Sequence, residues 1–132
     1  MFDYIALTTP YQTINLPYPV QLTIKRLDQI HPHISGNKFF KLKHNLLAAQ
    51  EQGLNQVLTF GGAFSNHIAA TAFAAHHFGF QSIGIIRGDE LAHQMLNPTL
   101  ARAQQLGIQL HFVSRAEYRL RHEIEYLNQL QQ

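Results

Sequence analysis

The sequence predicts an α/β protein with a parallel sheet of about four strands and helices on both faces. Strand-like and helical patterns alternate along the chain, and the helical ones run for about 10–15 residues, which is typical of a helix-covered parallel sheet. Gly53, Gly79 and Gly107 each follow a helical pattern and precede a short apolar run. A glycine often closes a helix because the closing residue needs a positive φ. Each glycine therefore predicts a helix end followed by a strand.

The individual elements follow from spacing and capping residues. Strands are predicted at 22–26, 57–60, 82–86 and 110–113, and helices at 39–52, 65–78, from 97 onward and at 117–130. The third helix has Asn97 as its cap and Pro98 at its first position, a favoured pair. The first twenty residues, with Pro10, Pro17 and Pro19, predict an extended lead-in that packs on something else.

Composition excludes several classes of function. The 132 residues are 45% hydrophobic and 14% charged, with a formal net charge of +2, which is too weak to indicate nucleic acid or a membrane surface. There is no cysteine, so disulfides and thiolate chemistry are excluded. The residues from Arg115 to Arg121 are locally basic but alternate with acids, as on a solvated helix face. We recognise no signal peptide or membrane span and expect a cytoplasmic protein.

Two segments contain residues suited to chemistry. The first is residues 35–38, where Lys38 follows a glycine and Asn37 just before a long helix. A lysine held there can act as a Schiff-base amine, although spacing alone favours a solvated lysine in a first helical turn. The second is residues 61–67, two glycines after a strand and Ser65 at a helix start. Such a turn binds a carboxylate or phosphate, unless Ser65 is only a helix cap.

The two segments together resemble a known enzyme family. SGNKFFKLK at 35–43, followed by LTFGGAFSNH at 58–67, resembles the 1-aminocyclopropane-1-carboxylate deaminase/D-cysteine desulfhydrase family. These enzymes depend on pyridoxal 5'-phosphate (PLP) and have the tryptophan-synthase-β-like fold. The resemblance runs from about Thr9 to the end of the chain. It implies deamination or desulfhydration of a small amino acid.

The resemblance also implies a role for each matching residue. Lys38 would bond covalently to PLP and then move the α-proton of the substrate, and Asn37 beside it would contact the cofactor. Asn66 would hydrogen-bond the 3'-oxygen of the pyridine ring. Ser65, Asn66 and His67 would hold the substrate carboxylate, and Ser65 would be a second catalytic residue. The chain departs from the family pattern at Phe40, where many members have a basic residue.

The larger departure from the family is length. The phosphate-binding loop and the groups that face the pyridine nitrogen would lie in a C-terminal half that this sequence does not contain. We therefore expect residues 1–35 to be a lead-in that packs on the missing large domain, and 36–132 to be the small α/β domain. The partners expected are a small amino acid, the missing C-terminal half and a second subunit of a homodimer. The chain alone is expected to be inactive, as a natural truncation or a fragment.

Two other functions are compatible with parts of the sequence. The nine histidines suggest metal binding, but no carboxylate lies at ligand spacing, so we predict no metal. The chain could instead be a non-catalytic α/β module that binds a small anion or a protein through the turn at 61–67. Lys38 distinguishes the two: it must be reactive in the enzyme and is irrelevant in the module.

Overall fold

The structure is a computed structural model that describes residues 1–130. Its strands and helices follow in chain order: β1 Tyr11–Asn15, β2 Gln21–Lys25, α1 Asn37–Glu51, β3 Gln56–Gly62, α2 Asn66–Phe78, β4 Gln81–Arg87, α3 Pro98–Gln105, β5 Gln109–Val113, α4 Arg115–Arg119 and α5 Ile124–Gln129. Gln131 and Gln132, the end of the predicted 36–132 domain, lie outside the described residues.

The predicted α/β class is confirmed, with one correction to the strand count. β3, β4 and β5 form a parallel sheet in that order, so the sheet has three strands instead of about four. The predicted strand at 22–26 is β2, and it pairs antiparallel with β1. β1 was not predicted because prolines surround it and favour an extended lead-in. The short connection 16–20 closes a hairpin between the two strands.

The helix ends form where the glycines predicted them. Gly53, Gly79 and Gly107 have φ values of 70°, 77° and 92°, a range that side chains disfavour. The cap of α3 is also as predicted: the Asn97 side chain accepts from Leu100 N–H, and Pro98 opens the helix. Local sequence therefore determines most helix boundaries in this chain.

The helices cover both faces of the sheet. Successive side chains of a strand point to opposite faces, and β3 shows this clearly. Gly61 faces α2, since a Cβ there would meet Ile68, whereas Phe60 faces α4 with its ring 6.0 Å from that of Tyr118. α3 packs beside α2 on the first face.

The N-terminal residues belong partly to the core of this chain. Phe2 is fully buried, and its ring centroid lies 5.2 Å from that of Phe39 and 4.7 Å from that of Phe78. The lead-in therefore does not pack only on something else, because its first turn fills the space between α1 and the end of α2. A second apolar cluster, around Ile68, Ile86 and Leu100, joins α2 and α3 to the sheet.

The prediction of one continuous last helix at 117–130 is wrong. Two short helices replace it, and α4 begins earlier, where Ser114 and Glu117 form a reciprocal capping box. Arg121 donates from its guanidinium to the Tyr118 carbonyl oxygen at 3.2 Å. That carbonyl is thereby satisfied without a continuing helical N–H, and the chain turns before α5.

The hairpin β1–β2 is largely exposed. All five residues of β2 are exposed, and so are the apolar side chains of Tyr11, Tyr18 and Val20. A two-stranded ribbon is marginally stable by itself. Among residues 1–130, no helix has the length and apolar character needed to cross a membrane.

Candidate functional site

Lys38 lies in the first turn of α1. Gly36 precedes the helix with a φ of 62°, and Asn37 and Lys38 are the first two helical residues. The half-buried Lys38 donates from Nζ to the Asn37 side-chain oxygen at 2.7 Å. Two of the three residues that the resemblance assigned to the cofactor are therefore in direct contact.

The turn at 61–67 joins β3 to α2. Ser65 N–H donates to the Gly62 carbonyl at 3.0 Å, and Ser65 Oγ accepts from the N–H groups of His67 and Ile68. Asn97, the cap of α3, also donates to the Ala63 carbonyl at 3.0 Å. The turn is thus held from within by Ser65 and from outside by Asn97, a link across the fold that sequence spacing could not reveal.

Gly61 lets α2 approach the end of β3 closely. A Cβ placed on Gly61 would lie 2.5 Å from Ile68 Cγ1, much closer than atoms can pack. At Gly62 the nearest atom would be Arg87 Nη2 at 3.9 Å, an ordinary contact. The first of the two glycines is therefore a steric requirement, and the second is not.

The hydrogen bonds within the turn limit what it can offer a ligand. Of the three predicted carboxylate-binding residues, Ser65 and His67 already use their N–H groups inside the turn. The Asn66 N–H has no partner among residues 1–130, and the exposed Asn66 side chain is free to turn toward a ligand. Ser65 Oγ accepts twice, so its own hydrogen remains to be donated.

Electrostatic coupling joins the turn to α1. Burial lowers the pKa of the His67 imidazole, and the positive charges of Lys38 and Lys41 lower it further. Neither α1 nor α2 has an acidic residue in its first turn. Two helix N-termini and two ammonium groups thus give this region a positive potential, which favours an anionic ligand.

An open cavity of about 480 Å³ lies between α1, β3 and α2. Lys41, His67, Thr59 and Thr71 contribute polar groups to its lining, whereas Lys38 and Ser65 lie outside that lining. His67 Nδ1 and Thr71 Oγ1 are buried there, with no hydrogen-bond partner among the described residues. Thr59 and Thr71 were not predicted as site residues. In the sequence, each is marked only as a polar residue among apolar neighbours.

Three of the other histidines, His31, His33 and His77, pack around Phe73. His31 is 8% exposed, and its Nδ1 accepts from the N–H groups of His33 and Ile34 at 3.1 Å each. Within the described part of the chain, no three His, Asp or Glu side chains are grouped as metal ligands.

Comparison with known proteins identifies the relatives of this chain. No protein-family model matches it. A mitochondrial bifunctional D-cysteine desulfhydrase/1-aminocyclopropane-1-carboxylate deaminase of Arabidopsis thaliana is 34% identical over 123 residues. That match covers 89% of this chain and 31% of the relative. The chain is homologous to one part of the 1-aminocyclopropane-1-carboxylate deaminase/D-cysteine desulfhydrase family. The resemblance seen in the two motifs is confirmed.

Two further relatives extend this finding. A Thermotoga maritima protein provisionally named 1-aminocyclopropane-1-carboxylate deaminase is 35% identical over 101 residues, 76% of this chain and 31% of its own length. The crystal structure of a homologue of 1-aminocyclopropane-1-carboxylate deaminase superposes on this chain with a TM-score of 0.70 at 30% identity. The superposition covers 97% of this chain and 41% of the homologue. The chain therefore spans about a third of the length of the curated relatives it matches.

The steric role of Gly61 gives a first prediction. Gly61→Ala should lower the free energy of unfolding by about 1–3 kcal/mol, because the new methyl group must push Ile68 and the first turn of α2 away from β3. Gly62→Ala is the matched control and should be neutral or slightly stabilising, since it also reduces the entropy of the unfolded chain. Urea denaturation followed by circular dichroism measures both. Equal losses for the two variants would contradict the steric account.

Proposed function

We propose that this chain is the N-terminal part of a PLP-dependent enzyme that deaminates or desulfhydrates a small amino acid. The observation that carries the proposal is the placement of Lys38 beside Asn37 at the start of α1, near enough to the turn at 61–67 for its charge to lower the pKa of His67. The relatives, named for deamination and for D-cysteine desulfhydration, support the class of substrate. The choice between these two reactions depends on residues outside this chain.

The residues at the start of α1 fit the cofactor chemically. Lys38 Nζ is a primary amine whose partner is the neutral amide of Asn37, and no carboxylate competes for it among residues 1–130. Lys38 would hold PLP, with Asn37 beside it and Asn66 as a donor to an oxygen of the ring. When bound, PLP supplies an electron sink for the substrate α-carbon.

The protein groups then have separate tasks. The Asn66 N–H and the Ser65 hydroxyl hydrogen bind the substrate carboxylate at the positive end of α2. Lys38 Nζ takes and returns the α-proton, which requires a movable amine at the edge of the site. The lowered pKa keeps His67 neutral, so a second cation is not added next to Lys38. Ser65 Oγ already accepts hydrogen bonds from the N–H groups of His67 and Ile68, which hold this oxygen within the turn. Ser65 therefore acts on a ligand chiefly as a hydrogen-bond donor.

Surfaces of this chain support a larger enzyme. β2 exposes Leu22 and Ile24, and among the described residues no strand pairs with the outer edge of β3. An unpaired edge of a seven-residue strand is a template for further pairing. We propose that residues 1–35 pack on a large domain, that 36–132 form the small domain, and that the complete enzyme is a cytoplasmic homodimer.

The covalent role of Lys38 is tested by reductive labelling. PLP is added to the purified chain, the adduct is reduced with borohydride, and modified lysines are located by peptide mass spectrometry. We expect Lys38 to be labelled ahead of Lys25, Lys41 and Lys43, because Lys38 lies beside Asn37, whereas Lys43 is paired with Asp3 and Lys25 lies in the hairpin. Asn66→Ala should lower the label on Lys38 by roughly tenfold through loss of one hydrogen bond.

The controls decide between the enzyme and the anion-binding module. Lys25→Met removes an exposed lysine of the hairpin and should leave the labelling of Lys38 unchanged. Uniform labelling of all four lysines would contradict a cofactor site and favour the non-catalytic module. An equal loss of label in Asn66→Ala and Lys25→Met would show that the turn does not take part.

We also expect no detectable turnover by the 132-residue chain alone. Lys38 and the turn at 61–67 supply only one side of the proposed site. They do not include groups that would enclose the cofactor. Ammonia release from 1-aminocyclopropane-1-carboxylate and sulfide release from D-cysteine measure the two activities. Sustained release that Lys38→Met abolishes would contradict this expectation, because the chain would then carry a complete site.

A further inference from the structure

Four arginine side chains converge on a cleft at the carboxyl end of the sheet. The arginine cleft has a volume of about 360 Å³ and is lined by Arg87, Arg115, Tyr118, Arg119 and Arg121. Arg87 is the last residue of β4, and the others come from α4 and the turn that follows it. The sequence alone suggested a solvated helix face for Arg115 to Arg121, because nothing local brings Arg87 to it.

The ring of Tyr118 organises the arginine cleft. Its centroid lies 5.7 Å from the guanidinium carbon of Arg87 and 5.1 Å from that of Arg121, within the range of cation–π attraction. Phe60 packs edge-on against the same ring and anchors it to β3. The hydrogen bond from Arg121 to the Tyr118 carbonyl adds a second constraint. Two of the four guanidinium groups are thereby positioned before any ligand arrives.

The charge of the arginine cleft is not balanced. Arg115 pairs with Glu90 at 3.2 Å. Within residues 1–130, no ion pair involves Arg87, Arg119 or Arg121. Like charges gathered in one concave surface repel each other, and a bound anion relieves that repulsion. The planar guanidinium group donates in pairs to phosphate or carboxylate oxygens.

We propose that the arginine cleft binds the phosphate group of a small molecule. A phosphate carries a charge of about −1.5 to −2 near pH 7 and offers three terminal oxygens, which matches three unpaired guanidinium groups better than a monovalent carboxylate does. The cleft lies where the parallel strands end, the usual place for ligands in open α/β sheets.

The arginine cleft is separate from the site at Lys38. Lys38, Ser65 and His67 do not line the cleft. Phe60 points from β3 toward Tyr118, whereas Gly61 points toward α2, so the cleft lies on the face of the sheet opposite α2. Gly62 of the turn borders it, since a Cβ there would lie 3.9 Å from Arg87 Nη2. Phosphate binding there does not depend on the proposed enzymatic function. Inorganic phosphate and the phosphate ester of a small metabolite share the required chemistry, and titration with each distinguishes the source.

Isothermal titration of the full chain at constant ionic strength tests the proposal, with inorganic phosphate and glycerol 3-phosphate as probes. Arg87→Gln and Arg119→Gln should each weaken binding by roughly tenfold, as expected for the loss of a charge-assisted hydrogen bond. Arg102→Gln, at an exposed position of α3, is the matched control and should change nothing. Tighter binding of the ester would identify a phosphorylated metabolite, and tighter binding of phosphate would identify the free ion.

Three results would overturn the proposal. They are the absence of saturable binding of both probes, binding of acetate as tight as that of phosphate, and an equal loss of affinity in Arg102→Gln. The last would indicate a general charge effect. Circular dichroism of each variant shows whether it is folded, and Lys38→Met should retain phosphate binding, which separates this site from the proposed cofactor site.

Discussion

The close contact between Gly61 and Ile68 is the constraint on which the site depends. Because Gly61 has no side chain, α2 can begin directly against the end of β3. Ser65 then caps the helix, and the Asn97 side chain fixes the loop from the neighbouring α3. This arrangement leaves the Asn66 N–H without a partner among residues 1–130 and the Ser65 hydroxyl hydrogen available for donation. The turn is therefore a rigid donor of hydrogen bonds, prepared by packing before a ligand is present.

Positive charge accumulates at the carboxyl edge of the sheet on both faces. On the α2 side, Lys38 and Lys41 lie close enough to lower the pKa of His67. On the other side, Arg87 reaches the arginines of α4 across the ring of Tyr118. The formal net charge of the chain is only +2, so this edge is a local feature that composition does not reveal. On the α2 side, α1 and α2 both begin without an acidic residue in the first turn, which favours an anionic ligand there.

Local signals determined what the sequence could predict. Gly79 ends α2 and Asn97 caps α3 as expected, since capping involves neighbouring residues. The motifs around Lys38 and Ser65 identified the family because their residues and spacing are specific. By contrast, contacts between distant parts of the chain determine three other features. They are the pairing of β2 with β1, the burial of Phe2 and the packing of Arg87 against the ring of Tyr118. No periodic pattern in the sequence encodes such contacts, so they are visible only in the three-dimensional structure.

The central claim is that the start of α1 and the turn before α2 form one site. The pKa of His67, measured by NMR titration of its ring protons, tests this without any ligand. In the unmodified chain the pKa should lie below the ordinary histidine value, and in Lys38→Met it should rise, because removal of a nearby positive charge favours the protonated imidazole. Lys25→Met, in the hairpin, should leave it unchanged. An identical His67 pKa with and without Lys38 would contradict the account, because Lys38 would then lie too far from the turn to share a ligand with it.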